Sequence, residues 1–298
     1  MRTLVTIREA YVEASSFLAG QGVADSASCT NILLQHLLGW SRTELLLRWQ
    51  EQLPVELAEP WRQLVERKAA GEPVQYITGE QEFYGLTFQV NSAVLIPRPE
   101  TELLVEAILD EGSRLFPQGA PLLADVGTGS GAIPVTLAHA RPTWRVHSSD
   151  ISAPALEMAR ANAQRHGVAE RVTLLEGDLL EPYIERRLAL DILVSNPPYI
   201  PASDVPALQP EVRLYEPHTA LIGGPDGLDL YRRMIGQLPL LPSIPALVGF
   251  EVGMGQAEAV ADMLRDVADW DEIRFILDLA GIDRHVIAIR EKNGSITI

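Results

Sequence analysis

The sequence Asp-Val-Gly-Thr-Gly-Ser-Gly-Ala at positions 125–132 decides the fold. It follows an apolar stretch typical of a buried strand and precedes a segment of helical character, so its glycines fall at a strand-to-helix turn. Because glycine has no Cβ atom, such a turn lets a ligand approach the backbone closely. The candidate ligand-binding residues of this turn are Asp125, Gly127, Thr128, Gly129, Ser130 and Gly131.

Around this turn, strand-like and helix-like segments alternate from residue 98 onward, which is typical of a parallel sheet covered by helices. The clearest helical segment is 153–166. The candidate strands are 122–126, 145–149, 172–176, 192–195, 246–252, 274–278 and 285–290. This pattern predicts a doubly wound α/β domain over residues 98–298.

The chain before residue 98 has a different pattern. Ile7, Ala10, Tyr11, Ala14 and Leu18 follow helical spacing, and Ser41 with Glu44 fits a capping box at the start of a further helix. We therefore predict a small helical domain over residues 1–73. Aromatic and β-branched residues within 74–97 predict a β-hairpin that connects the two domains.

Carboxylates follow the next two strands. Asp150 ends the second strand, where a carboxylate accepts hydrogen bonds from ribose hydroxyls, and Asp178 and Leu179 follow the third, where an adenine contact is expected. The loop also satisfies the dinucleotide fingerprint, and a plain glycine turn with solvated carboxylates is the third interpretation. A carboxylate at Asp125 disfavours a pyrophosphate and favours a sulfonium and an ammonium group. The pattern therefore favours S-adenosylmethionine, with a dinucleotide left open.

A second corner follows the strand at 192–195, where the sequence reads Asn-Pro-Pro-Tyr at 196–199. Ligands of open α/β sheets bind at the carboxyl ends of strands, and two successive prolines keep such a corner stiff. Asn196 offers an amide oxygen and Tyr199 a flat apolar wall. We predict that Asn196, Pro197, Pro198 and Tyr199 hold a planar NH₂ group, and that Asn196 also borders the cofactor.

The chemistry of such a group explains the residue types. An amide nitrogen is a poor nucleophile because its lone pair is delocalised, and no side chain is basic enough to deprotonate it at neutral pH. If the Asn196 side-chain oxygen and the Pro197 carbonyl each accept one N–H, the nitrogen is aimed at a methyl donor, which lowers the barrier by several kcal/mol. Asn196 and Pro197 are thus the candidate catalytic residues.

Charge and composition exclude several classes of function. The formal net charge of −16 opposes non-specific binding to nucleic acid. Lys68 and Lys292 are the only lysines and neither lies in a glycine-rich run, so no P-loop is present. The six histidines are scattered without metal-ligand spacing, which predicts no metal site. A lone cysteine and an N-terminus without an apolar signal core predict a cytoplasmic protein that does not bind membranes.

Together with the glycine turn and the Asn-Pro-Pro-Tyr corner, further motifs form a pattern that resembles the release factor glutamine methyltransferase family, PrmC/HemK. They are Pro-Arg-Pro-Glu-Thr-Glu at 97–102, Tyr-Glu-Pro at 215–217, Gly-Gly at 223–224, Gly-Leu at 227–228 and Asp-Leu-Ala-Gly-Ile-Asp-Arg at 278–284. The resemblance covers nearly the whole chain. It implies a class I S-adenosylmethionine-dependent methyltransferase fold, Rossmann-like with a seven-stranded, mostly parallel sheet.

The same resemblance implies an activity and a partner. The enzyme would methylate N5 of the glutamine in the Gly-Gly-Gln motif of class 1 peptide chain release factors. Separately, we predict a monomer, and the net charge predicts no direct contact with nucleic acid. The loop Gly127–Gly131, Asp150, Asp178 and Leu179 would hold S-adenosylmethionine, and Asn196–Tyr199 would hold the glutamine.

Two alternatives stay open on the residues alone. An adenine-N6 methyltransferase acting on DNA or RNA would present an exocyclic amine to the same corner, although the charge of −16 opposes it. A cofactor-binding module without catalysis would not need the Asn-Pro-Pro-Tyr corner. Glu100 and Glu102 either border the cofactor or are first-turn charges of a helix, and residues 293–298 receive no assignment.

Overall fold

The computed structural model describes residues 5–291. Residues 1–4 and 292–298, which contain the outer limits of both predicted domains, Lys292 and the unassigned 293–298, lie outside the described residues. The chain forms two compact units. The first runs to Glu80 and also contains Gln209–Tyr215, and the second contains Gln81–Leu208 and the chain from Glu216 onward.

The first unit is helical, as predicted. Its helices are α1 (Ile7–Gly20), α2 (Ser26–Leu38), α3 (Arg42–Leu47), α4 (Ala58–Ala69), α5 (Val74–Thr78) and, from the later segment, α10 (Pro210–Tyr215). Of the predicted stripe, Ile7, Ala10, Ala14 and Leu18 lie in its buried core, and Tyr11 is partly buried against that core. The predicted capping box also forms, since Glu44 N–H donates to the Ser41 hydroxyl and Ser41 N–H to the Glu44 carboxylate.

Two parts of the first unit lie outside the residues predicted for it. Helix α5 extends the helical unit beyond residue 73, into the segment predicted as a connector. Helix α10 joins it through a partly buried ion pair between Lys68 Nζ and Glu211 Oε2 at 2.6 Å, and through a hydrogen bond from the Tyr215 hydroxyl to the Ala70 carbonyl. Lys68 is 2% exposed, so the pair fixes the segment to α4.

The second unit contains the predicted hairpin and the predicted sheet. The hairpin strands are β1 (Glu80–Phe83) and β2 (Leu86–Gln89), and the sheet strands are β3 (Leu122–Val126), β4 (Arg145–Asp150), β5 (Val172–Glu176), β6 (Ile192–Ser195), β7 (Leu247–Glu251), β8 (Glu272–Leu277) and β9 (Asp283–Ile289). Their order is β5-β4-β3-β6-β7-β9-β8. Of these seven strands, β9 alone runs in the direction opposite to the others, so the sheet is mostly parallel.

Helices cover both faces of this sheet, as in a doubly wound fold. They are α6 (Pro99–Leu115), α7 (Ala132–Ala140), α8 (Ala153–Arg165), α9 (Glu181–Glu185), α11 (Asp229–Gln237) and α12 (Ala257–Arg265). Successive side chains of the central strands enter different cores, since Leu123 packs with α6 and α7, whereas Ala124 packs with α11 and α12. Strands β3, β6 and β7 are buried along their whole length.

The register of the parallel strands sets the place of the site. Val126, the last residue of β3, pairs with Ser149 of β4 and with Ser195, the last residue of β6. The Ser195 hydroxyl also donates a hydrogen bond of 2.6 Å to the Val126 carbonyl. The glycine turn, the Asp150 turn and the Asn-Pro-Pro-Tyr corner therefore begin side by side at one edge of the sheet.

We predict that Gly112→Ala destabilises the protein by about 1–2 kcal/mol. A Cβ at this position of α6 overlaps the ring of Trp144 and lies 3.1 Å from a methyl group of Ile192. Overpacking of this kind costs about 1–3 kcal/mol, which exceeds the gain in helix propensity of roughly 1 kcal/mol. The measurement is the free energy of unfolding in urea.

The matched control is Gly236→Ala in α11, where an added Cβ meets nothing within 4 Å. Its expected effect is a stabilisation of up to about 1 kcal/mol. Equal effects of the two substitutions on the free energy of unfolding would contradict the packing described for α6.

Candidate active site

A cavity of about 370 Å³ lies at the carboxyl edge of the sheet. Its volume is within the range of small-molecule sites, roughly 300–1,000 Å³. Turns after four neighbouring parallel strands, β3 to β6, line it. The predicted site residues that line it are Gly127, Gly129, Asp150, Asp178, Leu179, Asn196, Pro197 and Pro198; those that do not are Asp125, Thr128, Ser130, Gly131 and Tyr199.

The glycine turn presents open backbone to this cavity. Gly127 and Gly129 have φ angles of 81° and 53°, a conformation that L side chains rarely adopt, and a Cβ on either meets no atom within 4 Å. Gly131 has another role, because a Cβ there lies 3.1 Å from Ala159 of α8. The first two glycines thus leave room for a ligand, whereas the third allows close packing of the helix.

Asp150 is the carboxylate best placed to face a ligand. Its Oδ2 accepts a hydrogen bond of 2.9 Å from Gly129 N–H, and its Oδ1 accepts one of 2.9 Å from Ser152 N–H. Burial raises the pKa of this carboxyl, although both backbone donors oppose the shift. A carboxylate has about four lone-pair sites, so acceptor capacity remains for the hydroxyls of a ribose.

Asp125 lies beneath the cavity and not on its wall. The side chain is completely buried, and its Oδ2 accepts a hydrogen bond of 2.6 Å from the hydroxyl of Ser148, its register partner on β4. Burial raises the pKa of Asp125 to about 7. Asp125 thus forms a hydrogen bond between β3 and β4. Its attraction of a cationic ligand stays a prediction.

Asp178 lines the cavity in an ion pair. Its carboxylate bonds to the guanidinium of Arg233 on α11, which lines the cavity as well. The charge of Asp178 is therefore largely compensated within the second unit, and the carboxylates on the wall contribute less free negative charge than the sequence suggests. Its contact with an adenine stays a prediction.

Residues that do not line the cavity fix the Asn-Pro-Pro-Tyr corner in place. The Tyr199 carbonyl accepts a hydrogen bond of 3.0 Å from Gln256 Nε2, and a Cβ at Gly227 would overlap that same carbonyl, so only glycine fits there. The Tyr199 hydroxyl points away from the cavity to Glu251 Oε1, at 3.3 Å. Its predicted role as a flat wall for the substrate stays a prediction.

Sequence reasoning missed a buried polar chain behind Asn196. Asn196 Nδ2 donates to Thr101 Oγ1 at 3.1 Å, and the Thr101 hydroxyl donates to Glu251 Oε2 at 2.6 Å. Burial raises the pKa of Glu251 to about 7, and it lowers the pKa of neighbouring His285 to about 4. Two features of the sequence pointed to these hydrogen-bonded side chains. Thr101 lies in the 97–102 motif, and Glu251 interrupts an apolar strand.

Glu102, left open between two roles, has a definite contact. Its carboxylate accepts a hydrogen bond of 2.8 Å from the backbone N–H of Tyr84 in the turn between β1 and β2. Both Glu100 and Glu102 lie in the first turn of α6, and neither lines the cavity. Glu102 therefore fixes the hairpin to that helix.

Within residues 5–291, none of the helices is long and apolar enough to cross a membrane. In the same part of the chain, no group of three or more His, Cys, Asp or Glu side chains is arranged to hold a metal ion.

Comparison with known proteins gives matches over both units. The family model of the PrmC N-terminal domain matches residues 9–79, and that of the methyltransferase small domain matches 100–208. The release factor glutamine methyltransferase of Moorella thermoacetica is 45% identical over 97% of this chain and 100% of its own length. That of Bacillus subtilis is 41% identical over 97% and 99%.

A solved structure supports the fold alone. The human methyltransferase 10 domain containing protein superposes with a TM-score of 0.52 at 13% identity, over 70% of this chain and 90% of that one. The second unit therefore has a methyltransferase fold.

We predict that Asp150→Asn lowers the affinity for S-adenosylhomocysteine about 10- to 100-fold. A hydrogen bond to a charged group contributes roughly 1.5–3 kcal/mol, which corresponds to this range. The measurement is calorimetric titration of the purified protein. The control is Glu176→Gln, because Glu176 pairs in register with Asp150 but is exposed and does not line the cavity. A comparable loss in both variants would contradict a specific contact.

We also predict that part of the fold's pH dependence comes from Glu251. Burial raises its pKa from 4.5 to about 7, so the folded state binds more protons than the unfolded state between these values. The contribution of Glu251 to the free energy of unfolding therefore falls as pH rises from about 5 to about 8, whereas His285, whose pKa burial lowers from 6.5 to about 4, contributes a rise over that lower range. Glu251→Gln should reduce the protein's total decline without abolishing it, because Asp125, whose pKa is also about 7, remains. Urea unfolding at a series of pH values measures both declines, and equal declines would refute the assignment.

Proposed function

Because the chain belongs to the release factor glutamine methyltransferase family, we propose that it transfers a methyl group from S-adenosylmethionine to N5 of the glutamine in the Gly-Gly-Gln motif of class 1 peptide chain release factors. One observation carries the proposal. The corner suited to an amide and the turn suited to a nucleoside follow two directly paired strands, and both line one cavity.

The residues on the cavity wall suit S-adenosylmethionine. Gly127 and Gly129 leave space at the backbone, and Asp150 supplies acceptors for ribose hydroxyls. Ile151 and Leu179 add apolar surface suited to the faces of an adenine. When bound, the cofactor supplies an electrophilic methyl group on a sulfonium.

The chain's own contribution is to hold the amide of the substrate. The Asn196 side-chain oxygen and the Pro197 carbonyl accept the two N–H groups, which keeps the nitrogen in one orientation within the cavity. The same oxygens would stabilise the positive charge that develops on nitrogen as the N–C bond forms and the S–C bond breaks. The products would be the N-methyl amide, S-adenosylhomocysteine and one proton, which the nitrogen releases to solvent. Since two prolines fix the corner, these acceptors are in place before the substrate binds.

Composition supports the remaining features of the proposal. A net charge of −16 favours a protein substrate over direct contact with nucleic acid, and the scattered histidines favour a reaction without a metal ion. Cys29 is a buried free thiol, as expected in a reducing compartment. We propose a monomer acting in the cytoplasm, where its substrates function.

The proposed function is tested with methyl-labelled S-adenosylmethionine and three acceptors: a class 1 release factor, its Gly-Gly-Gln→Gly-Gly-Ala variant, and DNA. Label should enter the intact release factor alone. Equal labelling of the variant, or labelling of DNA at adenine, would overturn the proposal, and the second result would favour an adenine-N6 methyltransferase.

We predict that Asn196→Ala lowers kcat on the release factor about 10²- to 10³-fold. The substitution removes one of two acceptors for the substrate amide, and loss of a single preorganised hydrogen-bonding group in an active site has effects of this size. The affinity for S-adenosylhomocysteine should change by less than about threefold, because the glycine turn and Asp150 remain. Steady-state kinetics and calorimetry measure the two quantities. Full activity of the variant would exclude Asn196 from catalysis.

A further inference from the structure

The amide of Asn196 has two different ends, and only one of them serves the proposed reaction. Its oxygen accepts a hydrogen bond, whereas its NH₂ group only donates. Rotation by about 180° exchanges the two ends with almost no change in shape. A substrate NH₂ group needs the oxygen in the cavity, so the protein must select one of two nearly isosteric orientations.

Thr101 provides the contact that can make this selection. It is 4% exposed and lies in the first turn of α6, with its Oγ1 3.1 Å from Asn196 Nδ2. A threonine hydroxyl has one proton to donate and two lone pairs to accept with. Which end of Asn196 faces Thr101 therefore depends on where the threonine proton goes.

Glu251 accepts the hydrogen bond from that hydroxyl. The Thr101 hydroxyl donates to Glu251 Oε2 at 2.6 Å, the shorter of its two contacts. Glu251 is 1% exposed at the end of β7, and its other oxygen accepts a hydrogen bond from the Tyr199 hydroxyl. Once ionised, the carboxylate only accepts, so Thr101 Oγ1 has only lone pairs left for Asn196.

We propose that Thr101, held by Glu251, is a positioning residue that turns the NH₂ group of Asn196 away from the cavity and leaves its oxygen to accept the substrate N–H. The inference rests on the proposed function and deepens it, because it also specifies the substrate class. An acceptor oxygen at this place binds a carboxamide and repels a carboxylate. The site thus discriminates glutamine from glutamate at the methylated position.

The first test removes the hydroxyl at constant shape. Thr101→Val should lower kcat for the release factor about 10- to 100-fold while the affinity for S-adenosylhomocysteine changes by less than about threefold. Thr101→Ser should restore activity to within about threefold of the wild type. The matched control is Thr136→Val, which removes another buried hydroxyl, one without a hydrogen-bond partner among the described residues. Loss of activity in the control, or full activity of Thr101→Val, would overturn the proposal.

A double-mutant cycle separates positioning from a general structural role. If Thr101 acts through Asn196, Thr101→Val has no further effect on kcat in the Asn196→Ala background. If the same 10- to 100-fold loss recurs there, Thr101 acts by another route and the proposal fails. Wild-type labelling of the release factor tests the proposed function separately.

The orientation also has a readout that needs no substrate. In the ¹⁵N-labelled protein, the side-chain NH₂ signal of Asn196 is the one that Asn196→Ala removes. In the wild type, one of its protons should be protected from solvent exchange by the bond to Thr101, and Thr101→Val should abolish that protection. A signal with the same protection in both proteins would refute the proposal, even if the release factor were not the substrate.

Discussion

The parallel pairing of β3 with β6 is the constraint on which the site depends. It sets Val126 beside Ser195, and the Ser195 hydroxyl donates a hydrogen bond to the Val126 carbonyl. A shift of this register by one residue would turn each side chain of β6 to the opposite face of the sheet. The loops that follow would then no longer open into one cavity. The proposed chemistry therefore depends on the register between two buried strands.

Much of this arrangement follows from local sequence patterns. The central strands are continuous apolar runs, and parallel strands share one carboxyl edge, so the meeting of the glycine turn with Asn196 was predictable. The attachment of α10 to the helical unit was not. It depends on Lys68 and Glu211, which are far apart in sequence and give no periodic signal. Nor did any pattern indicate that β9 runs antiparallel, because strand direction follows from tertiary pairing.

Within the site, the direction of each side chain is what the sequence alone did not specify. Asp125 is next to the glycine turn in sequence, yet it still belongs to β3, and strand alternation puts it on the same face as Leu123, toward the core. Tyr199 follows the corner but turns its hydroxyl to Glu251. Conversely, Thr101 lies on a helix far from the corner in sequence, yet its hydroxyl contacts Asn196. Proximity along the chain was thus a poor guide to which polar groups face the cavity, and alternation within the strand was a better one.

Two buried carboxylates, Asp125 and Glu251, lie behind the cavity wall, and each accepts a hydrogen bond from the hydroxyl of a neighbouring element. Burial opposes the ionisation of both groups, so a gain in folding stability does not explain why either carboxylate lies there. An apolar side chain of similar volume would often stabilise such a position. An apolar side chain in place of Glu251 could not accept a hydrogen bond from Thr101, and without that acceptor the two ends of the Asn196 amide become equivalent choices. The fold therefore retains a buried carboxyl group, Glu251, at the place where the proposed function requires one hydrogen-bond direction.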